Sequence, residues 1–350
     1  MPAIYGRFRR WLRLEQEKGL GLAPLLLWHL PRQLWARSYA AAAGRLNDSL
    51  LFARNLSKLQ DFLAGLPPAP PPRFYLIVMP GTLHFVLPCV RLVPAGVSLV
   101  LLLNGAAAAE ADLLERRFPH RPAFRLAALP GSSLSHGGVL NLLFAAQDQD
   151  FGILDHDLYV FQPEIYQQLH LDDNCVAVGA FRLYNRKANL FFPTTHFLFF
   201  NIKLIKNIIK KYDIGAQIYN KPPPQLKTIL SALQLTPDNY LKDYLNYFDT
   251  LNLIWALALH EGYTFRFFPL TYGEFIYHLG ATSHGTKDLY QAYIQQKFLE
   301  LPENHEVACL YGGRAPGAAS SDALKHRLPP TDYTQRFLAE TDRWLAKLAA

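Results

Sequence analysis

Cysteine is scarce in this chain of 350 residues: Cys89, Cys175 and Cys309 are odd in number, far apart and form no Cys-x-x-Cys pair. That argues against a disulfide framework and a cysteine-rich zinc site, and it fits a reducing, cytoplasmic setting. Charge is sparse as well, at 18% of residues, while 50% are hydrophobic. Disorder is thereby excluded for most of the chain, and a core sized for one large domain or two modest ones is expected. Long apolar runs are missing: no stretch of the roughly 20 residues of a membrane span is both uncharged and predominantly apolar. The nearest, "LVPAGVSLVLLLNGAAAA", is interrupted by Pro, Gly and Asn and reads as a buried strand. The opening "MPAIYGRFRRWLRLEQEKG" is too charged for the apolar region of a signal peptide. Internal repeats are also absent.

What charge there is leans one way. A formal net charge of +7 and a pI near 9.2 suit a phosphate-bearing partner or an anionic membrane surface, or simply a basic soluble protein. Two segments concentrate it. Arg7, Arg9, Arg10 and Arg13 alternate with Tyr5, Phe8, Trp11 and Leu12, a mixture that suits peripheral binding to a membrane interface. Lys203, Lys206, Lys210 and Lys211 share one expected helix, which meets anionic groups or is a solvated face. No helix-turn-helix, zinc or RNA-stacking signature accompanies the charge, so nucleic acid is not the expected partner.

Composition divides the chain into three. Residues 1–72 read as a helical segment closed by the stiff connector "LPPAPPPRF"; in "RLNDSLLFARNLSKLQDFLAGL", Asn47 or Asp48 is placed to cap the helix. Over 73–285, apolar runs such as "RFYLIVMP", "GVSLVLLLNG" and "FGILDHD" alternate with helical stretches, which predicts an α/β layer with a mainly parallel sheet. Residues 286–350 read as a helical extension around the loop "YGGRAPGAASSDA".

"FGILDHDLYVF" poses the chemical question. Two carboxylates one residue apart at the end of a buried strand repel each other and lose hydration, so something must offset the cost. In an open α/β sheet, ligands bind outside the carboxyl ends of the strands. Alternation turns Asp155 and Asp157 the same way and His156 elsewhere. A divalent cation such as Mn²⁺ or Mg²⁺, with positions left for substrate phosphates, fits that placement better than a plain acidic turn.

The stretch "FGILDHDLYVFQPEIYQQL" resembles the Asp-x-Asp segment of GT-A-type nucleotide-sugar glycosyltransferases. The resemblance extends over about residues 73–285, through "LVLLLNG", "LSHGGVLNLLFAA", "THFLFFNIKLIK", "YFDTLNLIWALALHEGYTFRFFPL" and "YHLGATSHG". It implies a Rossmann-type mixed sheet and a metal-dependent transfer of sugar from a nucleotide-diphosphate donor to a hydroxyl. A glycan or lipid-linked acceptor is suggested only by the basic, aromatic edges. The roles it implies are Asp157 binding the cation directly and Asp155 binding it through water or holding the ribose. His278 is then the third ligand, with His284 as its competitor. Asn104 and His136 approach the nucleotide sugar, and His196 and Asn201 the acceptor. Asp249 is the catalytic base or the N-cap of the following helix, with Asp243 as second choice for the base; an inverting outcome is expected. A haloacid-dehalogenase-type phosphatase, with Asp172-Asp173 as its late acidic pair, and a non-catalytic basic binding protein are the alternatives.

Overall fold

The first two apolar runs alternate in which face of a sheet they serve, and both faces are buried. The computed structural model describes residues 46–67, 72–185, 188–219, 221–235, 248–269, 274–280, 289–312 and 320–349. The expectations for residues 1–45, for Asp243 and for His284 lie outside the described residues. In chain order the elements are α1 (Phe52–Ala64), β1 (Arg73–Val78), α2 (Leu83–Leu92), β2 (Ser98–Asn104), α3 (Ala108–Arg117), β3 (Ala123–Leu126), α4 (His136–Ala146), β4 (Phe151–Asp155), β5 (Leu158–Val160) and β6 (Cys175–Gly179). There follow β7 (Arg182–Asn185), β8 (Leu190–Pro193), β9 (Phe197–Phe200), α5 (Ile202–Tyr212), α6 (Lys227–Ala232), α7 (Asn252–His260), β10 (Thr264–Phe267) and β11 (Ile276–His278). Four helices close the chain: α8 (Leu289–Leu299), α9 (His305–Gly312), α10 (Ser321–Lys325) and α11 (Asp332–Ala349).

Seven strands form the main sheet in the order β10-β6-β9-β4-β1-β2-β3. Every neighbouring pair is parallel except those made by β9, which runs antiparallel to both β4 and β6. Tyr75, Ile77, Val100 and Leu102 join the core on one face, with residues of α4, α5 and α7. Phe74, Leu76, Val78, Leu99, Leu101 and Leu103 join the core on the other, with α2 and α3. The period of two along each strand, apolar on both sides, is what a sheet covered by helices on both faces requires. The mixed, mainly parallel α/β architecture is thus as expected.

The flanking helices share these cores. Leu59 of α1 is buried in the first, where Phe62 packs on Phe124 at 5.1 Å between ring centroids. Trp344 of α11 and Phe298 of α8 stack with Tyr159 of β5 in the second. Asn47 and Asp48 correct the sequence reading, because neither caps α1, whose N-cap position is Leu51. Asn47 instead accepts from Leu129 N and donates to Ser132 Oγ and Ser133 O. Asp48 accepts from the backbone N–H and hydroxyl of Ser135, the residue that caps α4. Asn55, fully buried, pairs both ways with the backbone of Ala127, at 2.8 and 2.9 Å. Asn55→Ala leaves that N–H and C=O without partners and is expected to cost about 2 kcal/mol of stability, read as a lower urea midpoint at unchanged slope.

His84, in α2, is buried with no hydrogen bond to either ring nitrogen, and it sits against Phe85 and Tyr311. Burial, with the nearby charge of His156, pushes its pKa down from 6.5 to about 3. The unfolded chain takes up a proton below pH 6.5 that the native protein refuses until about pH 3, so stability falls as pH drops through that window. The slope is about 1.4 kcal/mol per pH unit. His84→Phe, apolar and of similar shape, is expected to flatten the loss between pH 6.5 and pH 4.5 in urea titrations; an unchanged loss assigns it to other groups.

Candidate functional site

The apolar run Phe151–Leu154 ends at Asp155, at the carboxyl end of a central strand. Because β9 is antiparallel, its first residues lie beside that same end: Leu154 pairs with Phe197, and Asp155 N–H donates to His196 O at 3.0 Å. His196 Nδ1 then lies 2.8 Å from Asp155 Oδ2. A second ribbon brings the third member. β11 pairs with β5 with His278 opposite Leu158, so the imidazole hangs over the Asp-His-Asp turn. His278 Nε2 is 3.6 Å from Asp155 Oδ2 and 3.3 Å from Asp157 Oδ1. Asp157 and His156 are both buried.

The two imidazoles stack at 3.6 Å between centroids, and the ring of Phe181 closes over both, at 5.8 and 6.2 Å. Asp155, His196 and His278 each offer one ligand atom, all within 4.8 Å of one another. One carboxylate oxygen and two imidazole nitrogens form a donor set that suits Mn²⁺ better than Mg²⁺, which prefers oxygen throughout.

Electrostatics bind the group tightly. Burial alone would lower the pKa of His278, but its hydrogen bonds and charge contacts with Asp155 and Asp157 raise it to about 9. Burial alone would raise Asp155, yet His196 and His278 hold it well below the usual carboxylate range. Asp157 is likewise lowered by His278 and His156 against the opposing effect of burial. A positive charge placed between these two carboxylates is thus favoured.

Several expected roles change. Asp157 is 3% exposed, and its Oδ2 accepts the Gly280 N–H at 3.0 Å. Its Oδ1 meets the same His278 nitrogen, Nε2, that Asp155 approaches, while only Asp155 also contacts His196. Gly280 sits at φ +75°, a backbone conformation that costs any residue with a Cβ. The glycine of "HLG" thus lets the turn close onto Asp157. His196, expected on the acceptor, belongs to the cluster. Asn201, expected beside it, is at the other end of β9, roughly 16 Å away at about 3.3 Å per residue. There it caps α5 by accepting from Leu204 N–H. Asn104 presents no atom to the cleft: it is fully buried and its amide pairs with both backbone groups of Leu134, at 2.8 and 3.0 Å. The Gly105 that follows it, at φ +82°, has no room for a Cβ, which would lie 2.5 Å from Ser132 O.

His136 is the first residue of α4 and feels the charges of Asp155 and Asp249, although burial dominates and lowers its pKa. Asp249 is therefore on the side of the cluster, half-buried, three residues before α7. It does not cap that helix: the N-cap position is Leu251, and Asp249 Oδ1 accepts from Thr250 N–H. Asp172 and Asp173 precede β6, which runs parallel to β10 and antiparallel to β9, so they lie at the sheet end opposite Asp155. The phosphatase alternative loses its acidic pair. Of the four lysines of α5, Lys206 pairs with Asp148 and Lys211 with Glu261. No helix among the described residues is long and apolar enough to cross a membrane.

Residues 52–205 match the family model described as the StrH glycosyltransferase N-terminal domain. This likeness supports a glycosyltransferase. A dTDP-dihydrostreptose–streptidine-6-phosphate dihydrostreptosyltransferase of Streptomyces griseus is 29% identical over 109 residues, which span 31% of this chain and 27% of that protein. The match therefore spans about a quarter of the relative's length. Among solved structures, the mannosyltransferase PcManGT of Pyrobaculum calidifontis, in complex with GDP-Man and Mn²⁺, aligns over 89% of this chain and 97% of its own at 9% identity and a TM-score of 0.32. The glycosyltransferase GlyE of Streptococcus pneumoniae TIGR4 aligns over 79% and 62% at 10% identity and a TM-score of 0.33. Scores that low carry no argument on their own. Asp155, Asp157 and His196 lie inside the family match; His278 and Asp249 lie beyond it.

Proposed function

We propose that this protein is a metal-dependent, GT-A-like glycosyltransferase that moves a sugar from a nucleoside-diphosphate donor to a hydroxyl. The observation that carries the reading is the Asp155–His196–His278 cluster at the carboxyl end of β4, within a chain whose 52–205 segment is similar to a glycosyltransferase domain. Asp155, His196 and His278 hold the cation, and Asp157 orients His278 through the 3.3 Å contact. A divalent cation at that place supplies neutralising charge for the departing nucleoside diphosphate. His136, neutral because of its lowered pKa, lines the donor side from the start of α4.

Asp249 takes the proton from the acceptor hydroxyl as the new glycosidic bond forms. The bond to the diphosphate breaks on the opposite face, an inverting outcome. The relative from Streptomyces griseus acts, by its name, on a dTDP-sugar and a phosphorylated acceptor, so dTDP belongs in the panel that tests this protein.

Thermal unfolding with Mn²⁺ and dTDP, UDP or GDP tests the reading. Cation and one nucleotide together are expected to stabilise the protein by about 2.7 kcal/mol at a hundredfold excess over Kd, with little effect from the nucleotide alone. Equal stabilisation with and without Mn²⁺, or none by any nucleotide, overturns it.

A further inference from the structure

His278 reaches the cluster on a slender support. β5 and β11 are three residues each and, among the described residues, pair with no strand of the main sheet. A two-stranded ribbon that short is marginal without tertiary support. Register sets its two faces: His278 lies opposite Leu158 on one, and Tyr277 opposite Tyr159 on the other. The last helix of the chain covers the tyrosine face. Thr341, Trp344 and Leu348 recur at helical spacing on the buried side of α11. The Trp344 indole stacks on Tyr277 at 5.0 Å and 19° and on Tyr159 at 6.3 Å and 8°. Phe298 of α8 stacks on both Trp344 and Tyr159. Three residues on, Lys347 Nζ donates to Glu274 O at 3.1 Å, just before β11, and lies over the Phe161 ring, just after β5. Arg91 of α2 ties α11 to the main fold by donating to Leu348 O. β11, α8 and α11 all lie beyond the segment similar to the glycosyltransferase domain.

We propose that Trp344 is a positioning residue for the cation site: through Tyr277 and Tyr159 it seats β11 over the Asp155–His156–Asp157 turn and so fixes where His278 Nε2 stands. The inference rests on the metal-dependent reading above. The lever is short. Tyr277 directly precedes His278, and the two residues after His278 carry the seating onward. Leu279 N–H donates to Asp157 O at 3.1 Å, and Gly280 N–H to Asp157 Oδ2 at 3.0 Å. His278 Nε2 stands 3.3 Å from Asp157 Oδ1 and 3.6 Å from Asp155 Oδ2. Displacing the ribbon by about 1 Å spoils that geometry, and misplacements of this size cost a site heavily. Asp155 and His196, by contrast, are placed by the main sheet itself, where β4 meets β9. Loss of the Trp344 stack therefore loosens one ligand and leaves the other two.

The full chain is titrated calorimetrically with Mn²⁺, and amide hydrogen exchange is followed in the same preparations without metal. Trp344→Leu is expected to weaken Mn²⁺ binding by about tenfold, as loss of an outer partner does. It is also expected to speed exchange of the Leu279 and Gly280 amides by about tenfold beyond any change in β1 and β2. Trp344→Phe keeps a ring in the stack and removes an indole N–H that is buried with no hydrogen-bond partner among the described residues. It is expected to bring both readings back to within about threefold of the wild type. Leu59→Ala, in the core on the opposite face of the main sheet, is the control for general destabilisation: it lowers the melting temperature and is expected to leave Mn²⁺ affinity unchanged. Wild-type Mn²⁺ affinity in Trp344→Leu, or an equal loss in Leu59→Ala, overturns the proposal. If Trp344→Leu does not fold, Lys347→Met reads the same link through Glu274 O, and wild-type exchange at the two amides then overturns it. A wild type that takes up no Mn²⁺ marks failure of the metal reading instead, and the two amides then decide the seating of β11 by themselves.

Discussion

Asp155→Asn is expected to lower Mn²⁺-dependent nucleotide affinity by more than about 100-fold and to abolish transfer. The substitution keeps the shape of the side chain and removes the one charged oxygen that both His196 and His278 approach, at 2.8 and 3.6 Å. Asp157→Asn is the contrasting variant. The Oδ2 of Asp157 accepts Gly280 N–H and its Oδ1 lies 3.3 Å from His278 Nε2. Because Asp157 lies outside the Asp155–His196–His278 group, its loss is expected to cost what an outer partner does, about 10–100-fold in cation affinity. Calorimetric titration of Mn²⁺ with and without nucleotide reads both. A larger loss for Asp157 than for Asp155 would return the metal to the ligand set the sequence suggests and remove His196 from it.

Asp249→Asn carries the second large effect. Loss of a general base typically slows the step by roughly 10²–10⁴-fold. Donor binding should be unaffected, because Asp249 is felt by His136 without belonging to the ligand cluster. Since Asp249 does not cap α7, the amide is expected to leave the melting temperature nearly unchanged. The informative measurement is kcat against the affinity for Mn²⁺ and nucleotide, in one preparation. Near-full turnover in Asp249→Asn makes the carboxylate a local turn partner of Thr250 and leaves the inverting step without its base.

The distribution of these roles explains what can be read from a chain of letters. Short runs that are apolar on every residue and bounded by turn residues, such as Leu99–Leu103, read as buried strands, and alternation with helices makes them parallel; that much is period, length and burial. A pair of carboxylates at the end of such a strand marks the carboxyl edge of the sheet as the place for a ligand. The late "HLG" is legible only through its resemblance to the family's His-x-Gly.

Direction is what composition does not encode. "THFLFFN" has the same apolar length as "FGILD", and nothing in either run says that they lie antiparallel. Had β9 been parallel to β4, Asn201 would stand beside Asp155 and His196 would lie at the far end. The reversed strand exchanges them, so His196 enters the ligand set and Asn201 becomes a helix cap. Asn104 and the expected cap at Asp249 show a related limit. A polar residue at a strand end or helix start can be spent on backbone groups far away in sequence, as Asn104 is on Leu134, or next door, as Asp249 is on Thr250.

The sequence by itself determined the layered α/β class and placed Asp155 at the carboxyl end of a buried strand, for which hydrophobic period suffices; His278 was reached only through the family resemblance. Only the tertiary structure decided that His196 joins the cluster, that Asp157 is held by Gly280, and that Asn47 and Asp48 secure the loop before α4. Those assignments depend on strand direction and on hydrogen bonds between residues as many as 123 positions apart, which arise only when non-local segments meet.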